Sequence, residues 1–157
     1  MNCSIKSENI EKTRLIGKFI GEKIARGSII CLYGKLGSGK TAFVQGIGKG
    51  LLIPEKHYIT SPTYTLINEY PSKTNLFHID LYRIEDKNDL ENIGFYEVFD
   101  HKSIIAIEWA ERLGENFFSD YLEVKFKIIS DNLRIISFTG HGKNGINCSE
   151  IRRHFGC

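Results

Sequence analysis

Gly34-Lys35-Leu36-Gly37-Ser38-Gly39-Lys40-Thr41 fits G-x-x-x-x-G-K-[ST] at every fixed position and follows an apolar run from Ser28 to Tyr33. A strand that empties into such a loop, with a helix directly after it, is how a phosphate-binding loop is written in sequence. Each residue type has its own reason. Glycines let the backbone turn successive N–H groups onto phosphate oxygens, and the N-terminus of the next helix favours anions. Lys40 is expected to reach β- and γ-phosphates and the Thr41 hydroxyl to hold Mg²⁺, with the cradle running on into Ala42.

Outward from the loop, Ile29-Ile30-Cys31-Leu32-Tyr33 is apolar on both faces, as a central parallel strand covered by helices must be. Before it, a helix is expected from about Glu8 to Ala25, with Ser7 as its N-cap. Ile16, Ile20 and Ile24 recur at four-residue spacing with Leu15 and Phe19 beside them, and Gly27 stops the pattern. Residues 1–6 suit a short edge strand. After the loop, Lys40 to about Leu51 puts Phe43, Val44, Ile47 and Leu51 on one helical face. Gly46, Gly48 and Gly50 weaken that helix by roughly 1 kcal/mol each relative to alanine, a cost that close packing would explain.

Three further stretches carry candidate chemistry. Thr60-Ser61-Pro62-Thr63-Tyr64-Thr65 is hydroxyl-rich around a proline and leads into a strand from about Tyr64 to Tyr70; it reads either as a turn or as a switch loop that senses phosphate. Leu76 to Tyr82 alternates strictly, with Phe77, Ile79 and Leu81 on one face and His78, Asp80 and Tyr82 on the other. A solvated sheet face explains that polar set, and so does a carboxylate placed to position metal or water. Then Ile104-Ile105-Ala106-Ile107-Glu108 is a Walker B pattern, in which a buried strand carries an acid to the sheet edge beside the phosphate loop. Between the last two, a helix is expected from about Lys87 to Phe99, capped by Asp86 and open to a break at Gly94. Strands from about Tyr121 to Ile129 and Leu133 to Thr139, joined through Ser130-Asp131-Asn132, should form an antiparallel hairpin.

With 157 residues the chain suits one domain, here residues 1–140, followed by a tail from 141 to 157 that is loop-like or holds one short helix from Cys148 to Phe155. Its net charge of +2 is too small to argue for nucleic-acid binding by electrostatics. Cys3, Cys31, Cys148 and Cys157 form no C-x-x-C pair, and no signal peptide is legible. They read as reduced cytosolic thiols, with zinc as the other option. No apolar run approaches a bilayer span, so a cytoplasmic protein without membrane contact is expected.

Together these features describe an α/β single-domain P-loop NTPase: a three-layer sandwich whose mixed, partly parallel sheet is flanked by helices and ends in a C-terminal antiparallel hairpin. Adenine is favoured over guanine, because the nearest match to [NT]-K-x-D, Asp86-Lys87-Asn88-Asp89, has the wrong first residue and precedes the Walker B strand. The phosphate loop, then Ser61-Pro62-Thr63-Tyr64-Thr65-Leu66, His78-Ile79-Asp80-Leu81-Tyr82-Arg83 and Ile107-Glu108-Trp109, resembles in order and spacing the TsaE (YjeE) family. This is the ATPase component of bacterial tRNA threonylcarbamoyladenosine biosynthesis.

The resemblance implies ATP and Mg²⁺ as cofactors. It implies Thr41 and Glu108 as metal ligands, Asp80 as an aid to metal or catalytic water, and Lys40, Asp80 and Glu108 as the catalytic set. It further implies Ser61-Pro62-Thr63 as a nucleotide-sensing switch, Tyr82 and Arg83 as switch or partner residues, and Trp109 on a second mobile segment. The adenine is placed near Ile10 to Thr13, with Arg134 close by. Partners implied are the TsaB and TsaD subunits, with tRNA contacted only indirectly. One departure is Lys35, which stands where the family usually has an acid. From the residues alone, a small-molecule kinase and a nucleotide-dependent interaction module with negligible turnover remain alternatives.

Overall fold

The structure, a computed structural model, describes residues 2–143 and 146–156; Met1, Gly145 and Cys157, which enter the expectations above, lie outside them. The elements in chain order are β1 (Asn2–Ser7), α1 (Ile10–Lys23), β2 (Ile29–Tyr33), α2 (Lys40–Gly50), β3 (Ile67–Tyr70), β4 (Leu76–Asp80), α3 (Asp89–Asn92), β5 (Ile104–Glu108), β6 (Tyr121–Ile128), β7 (Arg134–His141) and α4 (Cys148–Phe155). Short 3-10 turns span Tyr96–Val98 and Ala110–Leu113. The seven strands form one sheet in the order β1-β7-β6-β2-β5-β4-β3. β2 is parallel to β5 and β6, and β4 is parallel to β5. The β1–β7, β6–β7 and β3–β4 pairs are antiparallel, so the sheet is mixed as the sequence pattern requires.

The centre of the sheet follows from hydrophobicity. Ile30, Cys31 and Leu32 are all buried, which only a strand covered on both faces permits. On one face α1 and α2 bury Ile16, Ile20, Phe43, Val44 and Ile47 against Leu32, Val124 and Phe138. On the other, Leu90, Phe95, Val98 and Leu113 from short helical segments cover Ile79, Ile105 and Ile107. Among the described residues no helix is long and apolar enough to cross a membrane.

The glycines of α2 do have a packing reason. A Cβ built at Gly46 would collide with the Arg14 carbonyl, and one at Gly50 with the Lys18 carbonyl. Gly17 and Gly21 of α1 are blocked in the same way by the carbonyls of Phe43 and Ile47. Two helices therefore meet backbone to backbone along a seam of small residues, and α2, which starts at the phosphate loop, is held rigidly to the domain.

Several local expectations change. Helix α1 starts at Ile10, because Asn9 Oδ1, and not Ser7, accepts from the Lys12 N–H at 2.8 Å. Ser7 is buried at the end of β1 and pairs its hydroxyl with Thr13. Leu15 is 58% exposed, so it lies off the apolar face. The expected helix over residues 87–99 is broken at Gly94, whose φ of +73° leaves only α3 and a 3-10 turn. β3 starts three residues later than expected, and β4 ends at Asp80 rather than Tyr82. The hairpin extends to His141, paired with Tyr121. Finally, Cys3 and Cys148 are joined by a disulfide, with Cα atoms 5.7 Å apart, which corrects the reading of both as reduced thiols. The cause is topology: α4 packs on β1 and brings together two cysteines 145 residues apart in sequence. Cys31 stays free and buried.

Candidate nucleotide site

β2, β4 and β5 run parallel and end at one edge, where Leu32 and Asp80 both lie opposite Glu108 in register. The chain leaving β2 must turn sharply into α2 there. Gly37 and Gly39 do this at φ +74° and +107°, values that residues with a Cβ rarely adopt. Lys40 opens α2 with a buried side chain whose Nζ donates to the carbonyls of Gly34 (2.5 Å) and Lys35 (3.1 Å). The ammonium also lies 4.3 Å from the centroid of the Trp109 ring. Burial pulls the Lys40 pKa below the ordinary lysine range, while the charges of Glu108, Glu111 and Asp80 oppose that shift. Next to it, the Thr41 hydroxyl donates to Glu108 Oε1 at 2.8 Å.

Asp80 is buried, so the solvated-face reading of β4 is wrong for this residue, and it is wrong for His78 as well. The Asp80 carboxylate ties the hydroxyl-rich loop to the site. Oδ2 accepts from Ser61 Oγ (3.0 Å) and Thr63 Oγ1 (3.1 Å), and Oδ1 accepts from the Tyr82 N–H (2.8 Å). Pro62 between the two hydroxyls is buried. Trp109 follows Glu108 in the left-handed region at φ +57°, which turns its ring back over Lys40 and against Tyr82, 4.9 Å between centroids. Such a backbone costs about 1–3 kcal/mol and tends to sit where a segment has to switch. Arg83 is exposed and lies over the Tyr64 ring.

A cleft of about 420 Å³ brings Ile10, the loop from Leu36 to Ala42, Ser61, Thr63, Asp80, Tyr82, Glu108 and Trp109 together. Size does not single it out, since a cleft of about 480 Å³ lies beside Arg14 and Tyr58. Its chemistry does. Thr13 is buried and does not line the cleft, but its methyl group packs near Gly39, as does the Arg134 side chain. Arg134 Nη1 donates to the Asn132 carbonyl and its buried Nε has no partner among the described residues. Lys35 contributes its carbonyl to the loop while its side chain is exposed.

The residue that sequence reasoning left out of the site is His78. Its Nε2 lies 2.7 Å from Glu108 Oε1, and the ring is fully buried. The alternation of β4 gave the signal, because His78 shares a face with Asp80, but the partner 30 residues away could be named only from strand register. As for a metal, no group of three or more His, Cys, Asp or Glu converges among the described residues. One hydroxyl and one or two carboxylates do fit Mg²⁺, which is held by few protein ligands together with phosphate oxygens and water.

A family model described as "Threonylcarbamoyl adenosine biosynthesis protein TsaE" matches residues 7–136, a span that contains the phosphate loop, Asp80, Glu108 and Trp109. The chain belongs to the TsaE family. The tRNA threonylcarbamoyladenosine biosynthesis protein TsaE of Bacillus subtilis (strain 168) is 34% identical over 151 residues, 95% of this chain and 93% of that one. The TsaE of Nostoc sp. (strain PCC 7120) is 48% identical over 109 residues, 66% of this chain and 65% of the relative. Among solved structures, the crystal structure of Bacillus subtilis YdiB superposes with a TM-score of 0.78 at 30% identity, covering 98% of this chain and 96% of that one. α4 lies beyond the TsaE match, whereas Arg134 falls inside it.

Proposed function

We propose that this TsaE-family chain is a cytoplasmic ATP-binding and ATP-hydrolysing switch. In this reading it serves the threonylcarbamoylation of adenosine 37 in tRNA by acting on a complex of TsaB and TsaD, and meets tRNA only through them. The observation that carries the reading is the hydrogen bond from Thr41 to Glu108 across the mouth of the phosphate loop. It joins a loop hydroxyl to a strand-end carboxylate, the pair that a Mg·nucleotide site of this class uses. Thr41 and Glu108 would hold Mg²⁺, which would supply positive charge to offset that of the phosphate oxygens.

The chain's own residues do the rest. Lys40 now contacts neutral carbonyl oxygens, for which charged phosphate oxygens are stronger competitors. Moving its ammonium to phosphate takes it off the face of Trp109, so nucleotide binding is transmitted to the 109–113 segment. Asp80 holds Ser61 and Thr63; if they release it to bind elsewhere, its Oδ2 becomes available to orient a water. Unaided hydrolysis is slow in this reading, because none of the described residues that line the cleft is an arginine able to stabilise the transferring phosphoryl group.

The test is ATP turnover by the purified protein with Mg²⁺. Slow release of phosphate that Lys40→Ala abolishes is expected. Turnover unchanged by Lys40→Ala would defeat the proposal, and transfer of phosphate to a metabolite in preference to water would assign the chain to the kinases.

A further inference from the structure

His78 occupies a costly position. The imidazole is 0% exposed and Nδ1 has no partner among the described residues, so its only polar contact is Glu108 Oε1. An apolar side chain of similar volume would avoid a desolvated ring nitrogen. Packing alone therefore does not account for a histidine here.

The geometry around Glu108 does. Oε1 accepts from two donors that arrive from different elements, Thr41 Oγ1 from α2 at 2.8 Å and His78 Nε2 from β4 at 2.7 Å. Two donors fill the two lone pairs of that oxygen. No hydrogen bond from the described residues reaches Oε2. Register explains how the ring gets there. His78 lies directly opposite Ala106, while Glu108 is two residues further along β5 on the same face. The small side chain of Ala106 leaves room for the imidazole to lean diagonally onto the carboxylate, a reach that a long side chain can span.

We infer that His78 is a positioning residue for the metal-binding carboxylate. By holding Oε1 it fixes the rotation of the Glu108 carboxylate and leaves Oε2 for Mg²⁺ or a water bound to it. It keeps that setting while the Thr41 oxygen turns toward the cation. This rests on the proposed roles of Thr41 and Glu108. Outer donors of this kind set how well a ligand is aimed, and their loss is felt in metal affinity.

The experiment compares binding of a non-hydrolysable ATP analogue, by calorimetry, with Mg²⁺ and with EDTA. Two variants are used: His78→Phe, which fills the space without a donor, and His78→Gln, whose amide can donate near the Nε2 position. The expected result is that His78→Phe lowers affinity about 10-fold with Mg²⁺ and changes it less than about 2-fold with EDTA, and that His78→Gln recovers most of the loss. Equal losses with and without Mg²⁺, no loss at all, or a His78→Gln variant no better than His78→Phe would overturn the inference. A wild type whose own affinity ignores Mg²⁺ would instead refute the metal reading of Thr41 and Glu108, and this inference with it. Should the Phe variant fail to fold, ¹⁵N NMR of the wild type decides: a proton on Nε2 supports the assignment, and a ring protonated only at Nδ1 overturns it.

Discussion

Gly46→Ala should destabilise the protein, whereas Gly48→Ala, two residues along the same helix, should not. Both substitutions gain about 1 kcal/mol of helix propensity, so that part cancels in the comparison. They differ in what the new methyl group meets. At Gly46 it would lie 2.8 Å from the Lys18 nitrogen and 2.9 Å from the Arg14 carbonyl carbon, with the carbonyl oxygen closer still. Backbone atoms of α1 cannot move aside unless the helices separate, which places the cost at the upper end of the usual overpacking range, about 3 kcal/mol. The net loss is then about 2 kcal/mol. At Gly48 the obstacle is the terminal methyl of Ile59, which a rotamer change removes, and the Ile53 methyl is 3.5 Å away. That variant should stay within about 1 kcal/mol of wild type. Urea denaturation followed by circular dichroism measures the difference directly, and thermal unfolding should separate the variants by about 4–8 °C. If Gly46→Ala proved as stable as Gly48→Ala, the account of α1 and α2 as a backbone-contact seam would be refuted, along with the rigid mounting of the phosphate loop that it supports.

Trp109 is the only tryptophan, so its emission should change when Mg·ATP draws Lys40 from its ring; a titration that leaves the wild-type spectrum unchanged at saturation would separate Trp109 from the switch. Burial pushes the Cys31 thiol up to about 12, against an ordinary value near 9. The folded state thus keeps a proton that the unfolded chain releases, and stability from this group, complete below about pH 9, is lost as pH rises through 12. Cys31→Ala should accordingly flatten the fall in unfolding temperature between pH 8 and 10, and an identical fall in both proteins would count against the burial. Reduction of the Cys3–Cys148 bond, or Cys148→Ser, should lower stability by up to about 5 kcal/mol, since the bond closes a loop of nearly the whole chain. Equal denaturation midpoints with and without reductant would show that the bond does not constrain the unfolded chain.

What the sequence disclosed was whatever chemistry is written locally. The phosphate loop needs glycine, lysine and threonine at fixed offsets, and β5 ends in an acid after four apolar residues, so Lys40, Thr41 and Glu108 could be named before any fold was known. Contacts that depend on register or long-range packing were hidden. His78 was visible as a member of a polar face, yet its role depends on Ala106 standing opposite and Glu108 two residues on. Gly46 and Gly50 of α2 read as a weakness in sequence, and only the fold sets Gly17 and Gly21 of α1 against them. Ser7 resembled a helix cap, but burial at the end of β1 commits its hydroxyl to Thr13, and Asn9 caps in its place. The disulfide joins the two ends of the chain, and no spacing rule connects Cys3 to Cys148.

In the function proposed above, nucleotide held at Gly34 to Thr41 drives a switch whose output is a modified tRNA. The decisive measurement is threonylcarbamoyladenosine formed over many turnovers in a reconstitution with the proposed partners TsaB and TsaD, with wild type or with Lys40→Ala. The account predicts sustained modification with the wild type and arrest after the first rounds with the variant. Equal yields from the two proteins would contradict it.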